Sequence, residues 1–485
     1  MRRLVCALLL AVSMLAAAQI SPPGGIGSHA GRIAELQRLA SDNDPQVRAA
    51  AIQGLIEMLI VKVQTPDGVF GDGNAHSDAR AALVRIGRRS IAYLLSALDS
   101  PSPELRAAVA DVLWRIRDAR VVDRLILLLG DPVSQVRMAA ASALGFARDP
   151  KAVQPLINAL GDSDEYVRTY AAGALAYFND RRAIEPLIHR LSDTSPGVRS
   201  AAVMTLKSMD DPRIVGTLIR MLSDTDETVR YWAVDGLGRA KDPRAIKPLI
   251  DRLRDKEDRI REGAAKALGK LKAMAAVPQL LLLLSDTARN VRMETAEALG
   301  RIGDRRAVTP LVGMLSDRDP WVRSSAVDGL EYISDPEAIN VLILALKDSF
   351  SRVVLRATEA LGVFQDSRSM EALVGMLSHP DEVLRVTASL SLGWTQDLRA
   401  VDSLLKTLGD TSGWVRAAAA CSLGQLRDKR ALEQLQNLTT DSSGQARLAA
   451  QTAINRINGQ EPRQRCTQLE ILLGIPDNFG DTILN

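Results

Sequence analysis

At 485 residues the chain is longer than one hydrophobic core usually grows, which points to several domains or to a repeat array. Its 46% hydrophobic and 25% charged content is ordinary for a folded protein, and an aromatic share of only 4% suits thin layers filled by aliphatic side chains. With 61 basic residues against 58 acidic ones, the balance argues against a nucleic-acid binder that relies on a basic surface.

The N-terminus reads as a secretory signal. Arg2 and Arg3 supply a basic start, residues 4–15 form an apolar run too short to span a membrane, and Ala16, Ala17 and Ala18 satisfy the small-residue cleavage rule. Residues 1–18 are therefore expected to be removed and the protein to be exported, either periplasmic or secreted. Cleavage would leave two cysteines, Cys421 and Cys466, and the sequence leaves open whether they pair. Residues 19–30 read as linker; Gly24, Gly25 and Gly27 follow no strand and make no nucleotide loop.

Residues 31–458 carry a repeat array, with irregular capping units over 31–98 and an inserted loop at 62–77. Arg137, Arg168, Arg199, Arg230, Arg261, Arg292 and Arg323 recur every 31 residues, and the series resumes at Arg385, Arg416 and Arg447 after a gap at Val354. A second column, running from Asp131 to Asp441, lies six residues before each arginine position and has its gap at His379. Restoring the consensus at either gap is expected to be neutral or mildly stabilising.

Each unit reads as two helices. In the unit at 180–209, Ile184, Leu187, Ile188 and Leu191 mark one face of helix A, capped by Asp180. Ser195 and Pro196 read as the start of helix B, which turns Val198, Ala202, Leu206 and Met209 inward. About fourteen such B helices are expected, the first three at Arg48, Arg80 and Arg106. The fold class is all-α, an α-solenoid of stacked helix pairs. The period lapses after Ile457, so residues 459–485 read as a tail or cap.

The unit D-P-R-A-I-x-P-L-I-x-x-L-x-D-x-x-x-x-V-R-x-x-A-A-x-A-L-G resembles the HEAT-like repeats of the phycobilin-lyase family. The resemblance implies that the Arg and Asp columns form a ladder between repeats, and that the B helices line the concave face. On that face Asp235, Glu297, Asp328 and Glu359 form an acidic column that Lys266 interrupts and Leu390 ends. Tyr170, Tyr231 and Trp232 would stand beside it as aromatic anchors, with Phe146, Tyr177, Tyr332 and Trp394 further along the same helices. This column and its flanking rings are the expected binding site for a protein or peptide partner, basic or extended in character. Lys151, Arg182 and the equivalent residues at each helix A start read as a solvated row beside the N-cap aspartates rather than an anion edge.

The leading functional expectation is an exported scaffold. The alternative is an enzyme or enzyme subunit resembling the phycobilin lyases or the HEAT-like oxidoreductases. None of the four histidines, His29, His76, His189 and His379, is followed by glutamate, so the His-Glu metal ligands of the latter are missing. Asp67, Asp72, Asn74 and His76 in the inserted loop lack calcium-loop spacing. No catalytic residue, metal or cofactor is expected.

Overall fold

Hydrophobic spacing and turn chemistry together build each repeat. In the repeat at 180–209 the Asp180 carboxylate accepts the Arg182 N–H at 2.9 Å and opens a 3₁₀ turn, Arg181–Ala183, that runs into the helix Ile184–Arg190. Pro186 is tolerated there because N–H groups this early in a helix lack partners. Pro196 starts the second helix, Pro196–Leu206. Ser195 stands at its N-cap without a side-chain capping bond, whereas Asp319 caps Pro320–Ile333 by accepting the Trp321 N–H. Ile184, Leu187, Leu191, Val198, Ala202, Leu206 and Met209 are all buried, as the apolar spacing requires.

The computed structural model describes residues 29–60, 63–64, 70–71, 75–116, 118–209 and 211–460. The expected signal peptide, the linker up to residue 28, and residues 461–485 with Cys466 lie outside the described residues. Among the described residues fourteen B helices occur, from Pro45–Glu57 to Gly444–Ile457. Helices dominate and the fold is all-α, of the α-solenoid class.

Part of the expected inserted loop is ordered differently. Val63–Gln64 and Phe70–Gly71 form a two-stranded antiparallel pair, with Val63 opposite Gly71 and Gln64 opposite Phe70. The helix Ala75–Ile86 takes up His76 and Ser77, and the His76 ring donates from Nδ1 to the Leu59 carbonyl. His76 is thus a tether between segments; Asp67, Asp72 and Asn74 lie outside the described residues.

The chain divides into two compact units at Gly236 and Leu237. In the first, the B helices Pro103–Ile116, Ser134–Ala147, Glu165–Leu175 and Pro196–Leu206 each pack on the next. In the second, the same holds for Asp258–Lys270, Arg289–Ile302, Pro320–Ile333, Ser351–Leu361, Glu382–Trp394, Gly413–Leu426 and Gly444–Ile457. The approach is close because the repeat places glycine and alanine at the crossing. A Cβ added to Gly300 would lie 2.7 Å from the Gly329 Cα.

Candidate functional site

The Arg and Asp columns form a ladder whose rungs join neighbouring repeats. Arg168 places Nε and Nη2 each at 2.8 Å from the two carboxylate oxygens of Asp193, while its Nη1 donates at 2.9 Å to the Asp162 carbonyl. Asp193 also accepts the Ser195 N–H at 3.0 Å. Burial pushes the Asp193 carboxyl up, but the hydrogen bonds from Arg168 and Ser195 outweigh it and hold it below the usual aspartate range. The same forked pairing recurs at Arg106–Asp131, Arg137–Asp162 and Arg199–Asp224 in the first unit. The second unit has it at Arg261–Asp286, Arg292–Asp317, Arg323–Asp348, Arg385–Asp410 and Arg416–Asp441. These charges are spent on structure.

The two gaps in the columns are one missing rung. Residue 354 should reach residue 379, and both have changed, to Val354 and His379. Val354 packs with Met376, Leu384 and Ala388 in an apolar cluster. The His379 Nδ1 accepts the Asp381 N–H at 3.0 Å, taking over the loop bond an aspartate makes elsewhere. The row at the helix A starts is also spent: Arg182 holds the Asp180 carboxylate at 2.7 Å and Arg244 holds Asp242 at 2.7 Å, on the surface.

The B ridge of the first unit carries a group of exposed aromatics. Trp114 and Phe146 stack with centroids 4.4 Å apart, and Phe146 meets Tyr177 at 5.1 Å. Arg115 and Arg148 lie over the outer rings, at 4.4 Å from Trp114 and 5.3 Å from Tyr177. Phe146, Tyr170 and Tyr177 remain 40%, 43% and 41% exposed. Tyr231 and Trp232 differ: both are half-buried, their rings meet edge to face at 4.9 Å, and the Lys207 ammonium sits 3.9 Å over Trp232. Lys207 also binds Asp235 at 2.6 Å. The structure thus joins Tyr231, Trp232 and Asp235 through Lys207, and leaves Tyr170 outside that group.

In the second unit the expected open acidic column is corrected. Glu297 is paired with Arg301 at 3.0 Å. Asp328 and Glu359 both bind Arg356, with Glu331 joining at 3.3 Å, and Glu359 is only 3% exposed. Leu390, which was to end the column on the surface, is buried at 1%. Glu297 and Glu359 pair with an arginine on their own helix, and Asp328 reaches the arginine of the adjoining repeat. Lys207, Glu294, Glu331 and Arg356 were missed by reading one column at a time. The signal was a spacing of 28, three short of the period: Lys207 to Asp235, Lys266 to Glu294, Asp328 to Arg356.

Among the described residues no group of three or more His, Cys, Asp or Glu side chains is arranged to hold a metal. No helix among them is long and apolar enough to cross a membrane. Cys421, in the helix Gly413–Leu426, is disulfide-bonded; Cys6 and Cys466 lie outside the described residues.

Comparison with known proteins follows the repeat. No curated protein matches the sequence. The chain is similar to importin beta, at 16% identity over 94% of this chain and 74% of that one, with a TM-score of 0.62. A likeness to Kap95p, from a structure of its binding to RanGDP, has 14% identity and a TM-score of 0.48, over 91% of this chain and 65% of that one. One to the CpcE and CpcF complex of phycocyanin lyase from Nostoc has 23% identity and a TM-score of 0.32, over 50% of this chain and 94% of that one. At these identities likeness speaks to the fold alone, and the two lower scores carry no argument here. A short stretch, 33–55, matches a HEAT repeat associated with sister chromatid cohesion. The profile described as HEAT repeats matches six overlapping segments, 91–176, 153–215, 184–269, 248–331, 310–386 and 371–455, and the chain therefore belongs to the HEAT-repeat family.

Proposed function

We propose that the protein is an exported scaffold that binds a protein or peptide partner along its B helices. The observation that carries this reading is the aromatic ridge of the first unit. Phe146, Tyr170 and Tyr177 stand on adjacent repeats, each about two-fifths exposed. The stack on Trp114 leaves much of each ring open to a partner, and aromatic anchors of this kind dominate protein interfaces. Tyr231 and Trp232, braced by Lys207, extend the ridge with rings of fixed orientation.

Export rests on the N-terminal signal pattern, and the disulfide at Cys421 fits an oxidising compartment. The test is affinity capture from envelope extract with the mature chain and with Phe146→Ala/Tyr170→Ala/Tyr177→Ala. The wild type should retain a defined partner and the triple variant should lose it at least tenfold, with its helical circular dichroism unchanged. Full retention by a folded triple variant would remove the ridge from the binding face.

A further inference from the structure

In the second unit three carboxylates converge on one guanidinium. Asp328 and Glu331 come from the helix Pro320–Ile333, and Arg356 and Glu359 from the helix Ser351–Leu361. Arg356 binds all three carboxylates, and the side chains of Glu331 and Glu359 are only 7% and 4% exposed. With every group ionised the cluster would hold two uncompensated negative charges away from water. Among the described residues Glu359 Oε1 is buried with no hydrogen-bond partner. An ionised carboxylate left so is costly, and taking up a proton is the cheapest remedy.

Among the described residues the surroundings offer no further cation. On the helix Arg289–Ile302, Arg301 is engaged by Glu294 and Glu297, Arg292 by Asp317, and Arg289 faces Asp319. The helices Val308–Met314 and Ile339–Ala345 carry no charged residue. Arg323 is held by Asp348 and Arg352 lies over Trp321. On Ser367–Met376, Arg368 is bound to Asp366, and Glu371 is exposed. On Glu382–Trp394, Glu382 bonds Ser412 and Arg385 is held by Asp410.

We propose that the pair Glu331 and Glu359 carries a proton at neutral pH, making this cluster a pH-sensitive tie between two consecutive repeats. Burial, working against the attraction of Arg356, pushes both carboxyls up to about 7. The sign follows from proton counting. The folded tie binds more protons than the open chain, so its stability is full below the ordinary value of 4.5 and is lost as pH rises through about 7. This is opposite to the Arg–Asp ladder, whose aspartates lie below their usual range.

The test is hydrogen exchange of the amides in 320–333 and 351–361, in the full chain, at pH 5.5 and pH 8, corrected for the chemical exchange rate. Glu331→Gln/Glu359→Gln imitates the protonated state and is the reference. From pH 5.5 to 8 the wild-type opening constant should rise relative to the variant by roughly thirtyfold for each carboxyl moved from 4.5 to about 7. An unchanged ratio overturns the proposal. Carboxyl carbon resonances of Glu331 and Glu359 in the wild type need no variant to fold: a midpoint near 7 supports the tie, and midpoints near 4.5 for both remove it.

Discussion

A guanidinium in the first turn of a helix opposes the helix dipole, and Arg168 shows how the repeat offsets that. Its side chain leaves the helix start to hold one carbonyl behind it and one carboxylate in the next repeat. The residue pattern displayed both columns but not their pairing, because a period of 31 is equally consistent with a bond inside the repeat or between repeats. Distance decides it: the carboxylate partner is 25 residues ahead, while six residues back only the carbonyl is used. That assignment changes the expectation for the two gaps. Since Val354 and His379 occupy the two positions of the same missing rung, restoring either alone adds a charge without a partner. Val354→Arg should cost about 2 kcal/mol, and His379→Asp about 1 kcal/mol, by chemical denaturation. The double variant should recover most of that loss, with a favourable coupling of about 1–3 kcal/mol. Single variants as stable as wild type would mean that the gap is not one rung. The ladder aspartates lie below their usual range, so their contribution is present above the ordinary aspartate value and is lost as pH falls below it.

At the scale of the helix, the inward faces were legible and the flank between neighbouring B helices was not. Apolar spacing fixes which side of a B helix is buried against its own A helix, and Val198, Ala202 and Leu206 obey it. It says little about the flank that meets the next B helix, where a polar side chain can be buried if the neighbouring repeat supplies a partner. Glu359 and Leu390 lie on that flank, which is why both were placed in solvent and both are buried. The close crossing makes its own prediction. Gly300→Ala would drive a Cβ to 2.7 Å from the Gly329 backbone, so the helices must separate. The cost should be about 1–3 kcal/mol, despite the better helix propensity of alanine. Gly313→Ala is the control. It also lies in a helix, Val308–Met314, but a Cβ there meets nothing within 4 Å. It should be neutral or stabilising by up to about 1 kcal/mol. Equal losses in thermal denaturation would show that propensity, not the crossing, governs these positions.

For the chain as a whole, stability is approximately a sum of repeat terms and nearest-neighbour interfaces, because each repeat touches only the adjacent ones. Removing residues 180–210 takes out one full period and leaves compatible surfaces facing each other. Arg168, deprived of Asp193, would find Asp224 at the equivalent place, since the two aspartates are 31 residues apart and each already accepts such a fork. Leu218 would take the position of Leu187, both of them buried. The shortened protein should therefore keep its helicity per residue and unfold cooperatively. Removing only 180–195 is a harsher change though it deletes fewer residues. It takes away the helix Ile184–Arg190 and runs Glu165–Leu175 almost directly into Pro196–Leu206, so two B helices lose the A helix that covers their apolar faces. Asp193 goes with it, and with no replacement in phase Arg168 loses its carboxylate. That variant should lose several kcal/mol or fail to fold, from the exposed apolar area and the broken rung together. Circular dichroism and urea denaturation of the two deletions decide the matter. Equal stability of the two, or collapse of the full-period deletion alone, would show that the repeats are not interchangeable units.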